Sequence, residues 1–173
     1  SSAASDVYKR QQMKRETKQN LTYYYDFLVA YQNLLRDGGT FSSIKVQSTD
    51  NKLIFNNWPA SQGEVAVVSK RFTNRDVLHL INFTNANSME WRDTNGNQTA
   101  ATTVSGIGIS ISSGKTVSKV WIASPDINGG VAQSIDFTQS GNEINLTVPS
   151  LKYWDMVLSL IHISEPTRQA EIS

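Results

Sequence analysis

The chain has 173 residues, with 16 Lys and Arg against 15 Asp and Glu and a formal net charge of +1. A charge this close to zero leaves no electrostatic footprint for nucleic acid or an anionic membrane. With no cysteine there is no disulfide framework and no thiolate site, and no apolar run approaches the roughly 20 residues that span a bilayer.

The two ends read as one stretch of DNA translated in opposite directions. DVYKRQ (Asp6 to Gln11) can be written GAT GTG TAT AAG AGA CAG, and the reverse complement of that stretch translates as LSLIHI, which is Leu158 to Ile163. The repeat resembles the mobile end used to build sequencing libraries. SSAAS before it and SEPTR after it read as translated adapter, and QAEIS fits an index tag. Residues 1–11 and 158–173 are therefore set aside from functional reasoning, as any fusion scar would be. They carry equal numbers of acidic and basic residues, so the net charge is unchanged, and His162 leaves with them. LSLIHIS continues the apolar alternation of YWDMV before it. The last strand is thus expected to run on through Ile163, with residues 1–11 and 166–173 loose. The remaining residues, 12–157, read as a piece of a longer gene.

Residues 13–37 have helical periodicity. Tyr24, Phe27, Leu28, Tyr31, Leu34 and Leu35 recur at steps of three and four, forming one apolar stripe. Gly38-Gly39 supplies the left-handed stop. The stripe is wide and rich in aromatics, which suggests a partner upstream. Isolated from it, the helix is expected to dock loosely or to cause aggregation.

From there the period becomes two. Ile107, Ile109 and Ile111 alternate with small or polar residues, as do Ile144, Leu146 and Val148. Turn clusters at 48–51, 93–97, 112–115, 125–130 and 139–142 separate about eight short strands. These are expected near 41–48, 52–57, 64–72, 76–84, 104–111, 117–123, 132–138 and 143–157. Val77 to Phe83 is apolar on both faces apart from His79 and Asn82, as a central strand should be. This spacing predicts a mainly β chain: an antiparallel β-sandwich of Greek-key type preceded by one amphipathic helix.

Few residues offer chemistry. His79 is the only histidine left inside 12–157, which excludes a multi-histidine metal site, and no G-x-S-x-G elbow exists for a serine triad. Nothing in the spacing brings two carboxylates together as a glycosidase requires. Asp93 to Asn97 (DTNGN) faintly echoes a calcium loop but lacks the frame and closing Glu, so a hairpin turn on Asn-Gly is expected. N-x-T sequons at Asn20, Asn82, Asn97 and Asn145 are what an Asn- and Thr-rich chain produces by chance. Among Trp58, Trp91, Trp121 and Trp154, the first two flank a proline or a loop and are the exposed candidates for stacking on sugar. Packing in core or rim is the competing role.

YYDFLVAYQNLLRDGGTF (Tyr24 to Phe41), NNWP (56–59), VLHLINFTN (77–85), WRDTNG (91–96), WIASPD (121–126) and LKYWDMV (151–157) together resemble glycoside hydrolase family 66, the dextranases and cycloisomaltooligosaccharide glucanotransferases. The resemblance implies that residues 12–38 are the last helix of a truncated catalytic (β/α)₈ barrel and 39–157 the C-terminal β-sandwich. The family's retaining chemistry on α-1,6-glucan uses an Asp nucleophile and a Glu acid/base on earlier barrel strands. No residue here matches either, so the resemblance implies no catalytic, cofactor or metal residue in this piece. The parent is expected to be a secreted bacterial enzyme acting on dextran, with this domain inactive by itself and stabilising the barrel of the same chain. The alternative is a carbohydrate-binding sandwich that grips glucan through Trp58 or Trp91. A surface-adhesin repeat would leave the helix unexplained.

Overall fold

A computed structural model of the chain describes residues 13–163; residues 1–12 and 164–173 lie outside them, and with them the expectation of loose ends at 1–11 and 166–173. Helix α1 (Arg15–Ala30) is followed by α2 (Gln32–Leu35). They meet at Tyr31, whose φ of −110° interrupts the helical path. The strands are β1 (Thr40–Ser42), β2 (Val46–Ser48), β3 (Phe55–Asn57), β4 (Val65–Arg71), β5 (Arg75–Asn82), β6 (Val104–Ser112), β7 (Val117–Ala123), β8 (Gln133–Ile135), β9 (Phe137–Ser140), β10 (Glu143–Leu151) and β11 (Trp154–Ile161).

They form two sheets. The larger runs β1-β4-β5-β11-β7-β8 with β3 beside β4, and the smaller runs β2-β6-β10-β9. All neighbours are antiparallel except β3 and β4, a short parallel pair that the alternation did not announce. β5 is central, as its apolar faces require: Leu78 and Leu80 face the other sheet, and Val77 faces the helix. Alternation fills the inter-sheet core with Val65, Val67 and Val157 from one side and Ile107, Ile109, Ile111, Ile144, Leu146 and Val148 from the other.

Three expected strands are each two strands. The segment 41–48 divides into β1 and β2, 132–138 into β8 and β9, and 143–157 into β10 and β11. In every case the first piece and the second lie in different sheets. The chain crosses between layers without a glycine-rich turn, so the period-two pattern continues while its target changes. β11 extends to Ile161, two residues short of the expected Ile163, and the next residue still bonds through its amide to the Thr116 carbonyl.

The helix stripe is not waiting for an absent partner. Phe27 and Leu34 are buried against Val77, Ala123 and Met156 on the outer face of the larger sheet, with Tyr31, Leu35, Phe72 and Trp154 around them. Phe27 meets Trp154 edge-on at 4.8 Å and lies so close to Gly130 that a Cβ there would sit 2.9 Å from its ring. The Tyr31 hydroxyl donates to the Gly130 carbonyl at 2.7 Å. Of the expected stripe, only Leu28 is left open, and it joins Leu21, Tyr25 and Val29 in a second, exposed apolar row.

The helix terminus is capped from the sheet. Lys70 is buried, and its Nζ donates to the carbonyls of Leu35, Arg36 and Gly38 at 3.0, 3.3 and 3.2 Å. These are the carbonyls a helix end leaves without partners, and a cation there also suits the helix dipole. Gly39 then turns with a φ of +68°, and Phe72 packs where its Cβ would be.

Candidate functional site

The two candidate tryptophans line one cleft of ≈ 310 Å³ at the end of the sandwich where β5 finishes. Trp91 is 84% exposed and Trp58 58%. Tyr153, 39% exposed, completes the aromatic rim. The other two tryptophans are strand residues, and Trp154 is committed to packing between Phe27, Tyr24 and His79.

Each wall is fixed by local chemistry. The Trp58 amide donates to the Val67 carbonyl at 3.0 Å as β3 ends. Glu64, nearly buried, accepts from Asn56 and from the Ser61 amide, pinning the loop that carries Trp58. Tyr153 sits in the β10–β11 corner. Asn82 donates to the Lys152 and Thr102 carbonyls at 2.7 and 3.0 Å, while its own amide donates to the Tyr153 carbonyl. Asp126 accepts the Tyr153 and Trp154 amides on Oδ2, both at 3.0 Å, and the Tyr24 hydroxyl on Oδ1 at 2.8 Å. Burial, then that bond, holds the Tyr24 hydroxyl above its ordinary range.

Trp91 sits on the long β5–β6 connection, which contains no strand. The expected hairpin at 93–97 is therefore absent as a strand pair. Asp93 instead accepts the Asn97 amide at 2.7 Å around Gly96, forming a side-chain-capped turn. The arms of the connection are held by side chains in place of a backbone ladder. Asn85 bonds the Ala100 carbonyl and the Thr102 amide, Asn87 bonds the Asn97 carbonyl and the Thr99 amide, and Gln98 bonds the Glu90 carbonyl. This use of Asn and Thr is structural, and the sequon residue Asn82 is likewise buried and fully bonded.

The cleft has the wrong inventory for hydrolysis. Glu90 is the one carboxylate lining it, where a glycosidase needs two. No group of three or more metal-ligating side chains converges among the described residues. His79 is a packing residue: its Nδ1 accepts the Trp154 indole N–H at 3.1 Å, and burial lowers its pKa to about 4. Asp155 is fully buried on the opposite face of the same sheet, beside a cavity of ≈ 70 Å³. The Ser124 hydroxyl donates to the Trp154 carbonyl and leaves the Asp155 oxygens without a hydrogen bond among the described residues. Burial, reinforced by the charge of Asp126, pushes the Asp155 carboxyl up to about 7.

A second concavity of ≈ 450 Å³ lies on the outer face of the larger sheet, floored by Val68 and Ile81 and flanked by Phe41 and Trp58. Trp58 is thus a wall common to both hollows. Sequence reasoning selected Trp58 and Trp91 from their neighbours but missed Tyr153, because the corner it occupies was hidden inside a continuous strand pattern.

Against known proteins, the glycosyl hydrolase family 66 model matches residues 6–158. The chain belongs to glycosyl hydrolase family 66. The match covers the whole DVYKRQ segment, Asp6 to Gln11, at one end and stops at Leu158 at the other. Two cycloisomaltooligosaccharide glucanotransferases of Niallia circulans are 37% identical over 150 residues and 32% over 154. Both alignments cover 84% of this chain and 15% of the relative, so the chain spans about a seventh of the length of these curated relatives. A Paenibacillus sp. cycloisomaltooligosaccharide glucanotransferase, solved in complex with cycloisomaltoheptaose, superposes with a TM-score of 0.72 at 30% identity, over 84% of this chain and 21% of that one. The family 66 chain has no helix, among the described residues, long and apolar enough to cross a membrane.

Proposed function

We propose that this chain is the C-terminal β-sandwich of a secreted family 66 enzyme acting on α-1,6-glucan, together with the last helix of its catalytic barrel. Its role is to brace that barrel without taking part in the chemistry. The observation that carries this reading is the two-sided helix. One face of α1 is sealed into the sandwich through Phe27, and the opposite row of Leu21, Tyr25, Leu28 and Val29 remains exposed. A helix apolar on two sides belongs to two cores, and the short share of each relative that the chain spans supplies room for the second. The glucan ligand of the Paenibacillus relative supports the substrate class, and the single carboxylate of the cleft supports a non-catalytic role.

The test replaces the corresponding segment of a Niallia circulans relative with residues 13–163. The graft should restore soluble, active enzyme where deletion of the segment does not, and Leu28→Glu in the graft should abolish the rescue. Release of sugar from dextran by the chain alone, or a deletion variant with full activity and stability, would refute the reading.

A further inference from the structure

We infer that the cleft between Trp58, Trp91 and Tyr153 is a glucan-holding subsite placed on the catalytic side of the parent's barrel. The inference rests on the reading of α1 as the last barrel helix. In a barrel of βα units each helix starts at the end where the strands finish, and that end carries the active site.

The direction of α1 across the sandwich is fixed by its contacts. The chain leaves α1 through α2, which finishes at the Lys70 end of β4, where that side chain takes the Leu35 and Arg36 carbonyls. The middle of α1 lies toward the opposite end, where Tyr24 bonds Asp126. Asp126 also holds the Tyr153 amide, and Asn82 at the end of β5 holds the same corner. The rim of the cleft is therefore tied to the middle of α1, upstream of the end that Lys70 caps. The cleft lies at the end of the sandwich that faces the catalytic side.

Its chemistry suits a neutral polyol. A pyranose offers C–H faces to aromatic rings and hydroxyls to polar groups beside them, and three partly exposed rings surround this cleft. Arg92 lies 4.2 Å from the centre of the Trp91 ring and covers one face, which leaves the other for a ligand. The Glu90 carboxylate takes no hydrogen bond or ion pair from a described residue, and Gln98 spends only its amide N–H groups on the Glu90 and Arg92 carbonyls. Both acceptors are thus free for sugar hydroxyls. The Asn and Thr side chains that brace the β5–β6 connection fix the platform before a ligand arrives, so little ordering opposes binding.

The experiment uses the whole 173-residue chain. It is run in native gels containing dextran, and isomaltoheptaose is titrated into it calorimetrically. The chain should be retarded by dextran, and Trp91→Ala should weaken isomaltoheptaose binding at least ten-fold without changing the circular dichroism spectrum. Leu28→Glu, on the far side of the helix, should bind as the parent chain does. Unretarded migration, or equal binding by the Trp91→Ala variant, overturns the inference. The graft experiment separates this from the bracing role: a graft that rescues the relative while the chain ignores dextran removes only the subsite. In a rescued graft, Trp91→Ala should raise KM for dextran and leave kcat unchanged.

Discussion

Asp155 and His79 sit on opposite faces of one sheet and should titrate against each other in stability. Asp155 is raised from 3.8 to about 7, so the folded state holds a proton that the unfolded state has released. Its contribution is neutral below pH 4, becomes less favourable as pH rises from about 4 to 7, and is constant above. At ~1.4 kcal/mol per unit, that decline is roughly 4 kcal/mol. His79 is lowered from 6.5 to about 4, so the unfolded state binds the extra proton between those values. Stability from this residue rises across the same window by roughly 3 kcal/mol. The two slopes nearly cancel between pH 4 and 6.5. Asp155→Asn keeps the shape and removes the titration, so its stability relative to the parent should climb by about 3 kcal/mol from pH 4.5 to 6.5, a window narrower than the full titration. His79→Gln retains an acceptor for the Trp154 indole and should fall relative to the parent over the same range. Urea unfolding followed by tryptophan fluorescence at several pH values measures both. A constant offset between the Asp155→Asn and parent curves would refute the argument. Asp76, also raised by burial, is common to every variant and drops out of the differences.

Phe27→Ala empties the contact between helix and sheet. It should cost about 3–5 kcal/mol and release residues 15–35 to limited proteolysis before the sandwich unfolds. Lys70→Met leaves three helix-end carbonyls without their donor, and a loss of about 2 kcal/mol is expected in thermal unfolding. Gly39→Ala meets both a positive φ and the Phe72 ring, and should destabilise by at least about 1 kcal/mol, with Phe72→Ala relieving the steric part in a double-mutant cycle.

The strands were legible wherever one element stayed in one sheet. Val117–Ala123 matches its expected range, and β4, β5 and β6 differ only at their ends. The failures share a cause. Alternation reports that a side chain faces a core but not which sheet carries it, so crossings at Ser43, Asp136 and Lys152 left no mark. Parallel pairing of β3 was hidden for a similar reason, since three residues carry too little pattern. The helix stripe was visible, but its partner was misplaced because Val77, Ala123 and Met156 come from three distant strands. For the cleft, Trp58 and Trp91 were read from adjoining proline and loop residues. Tyr153 joins them through Asn82 and Asp126, whose bonds span long sequence separations.

The place of β10 and β11 has a consequence for synthesis. β11 lies between β5 and β7, and β10 lies between β6 and β9. Both sheets therefore lack an inner member until β10 and β11 have left the ribosome. Until then β1, β3, β4 and β5 can pair with one another, but β7 has no bridge to β5 and β9 none to β6. Non-local closure of this kind is slow and leaves open strand edges on the waiting intermediate. The nascent domain is thus most exposed to misassociation just before residues 143–161 emerge.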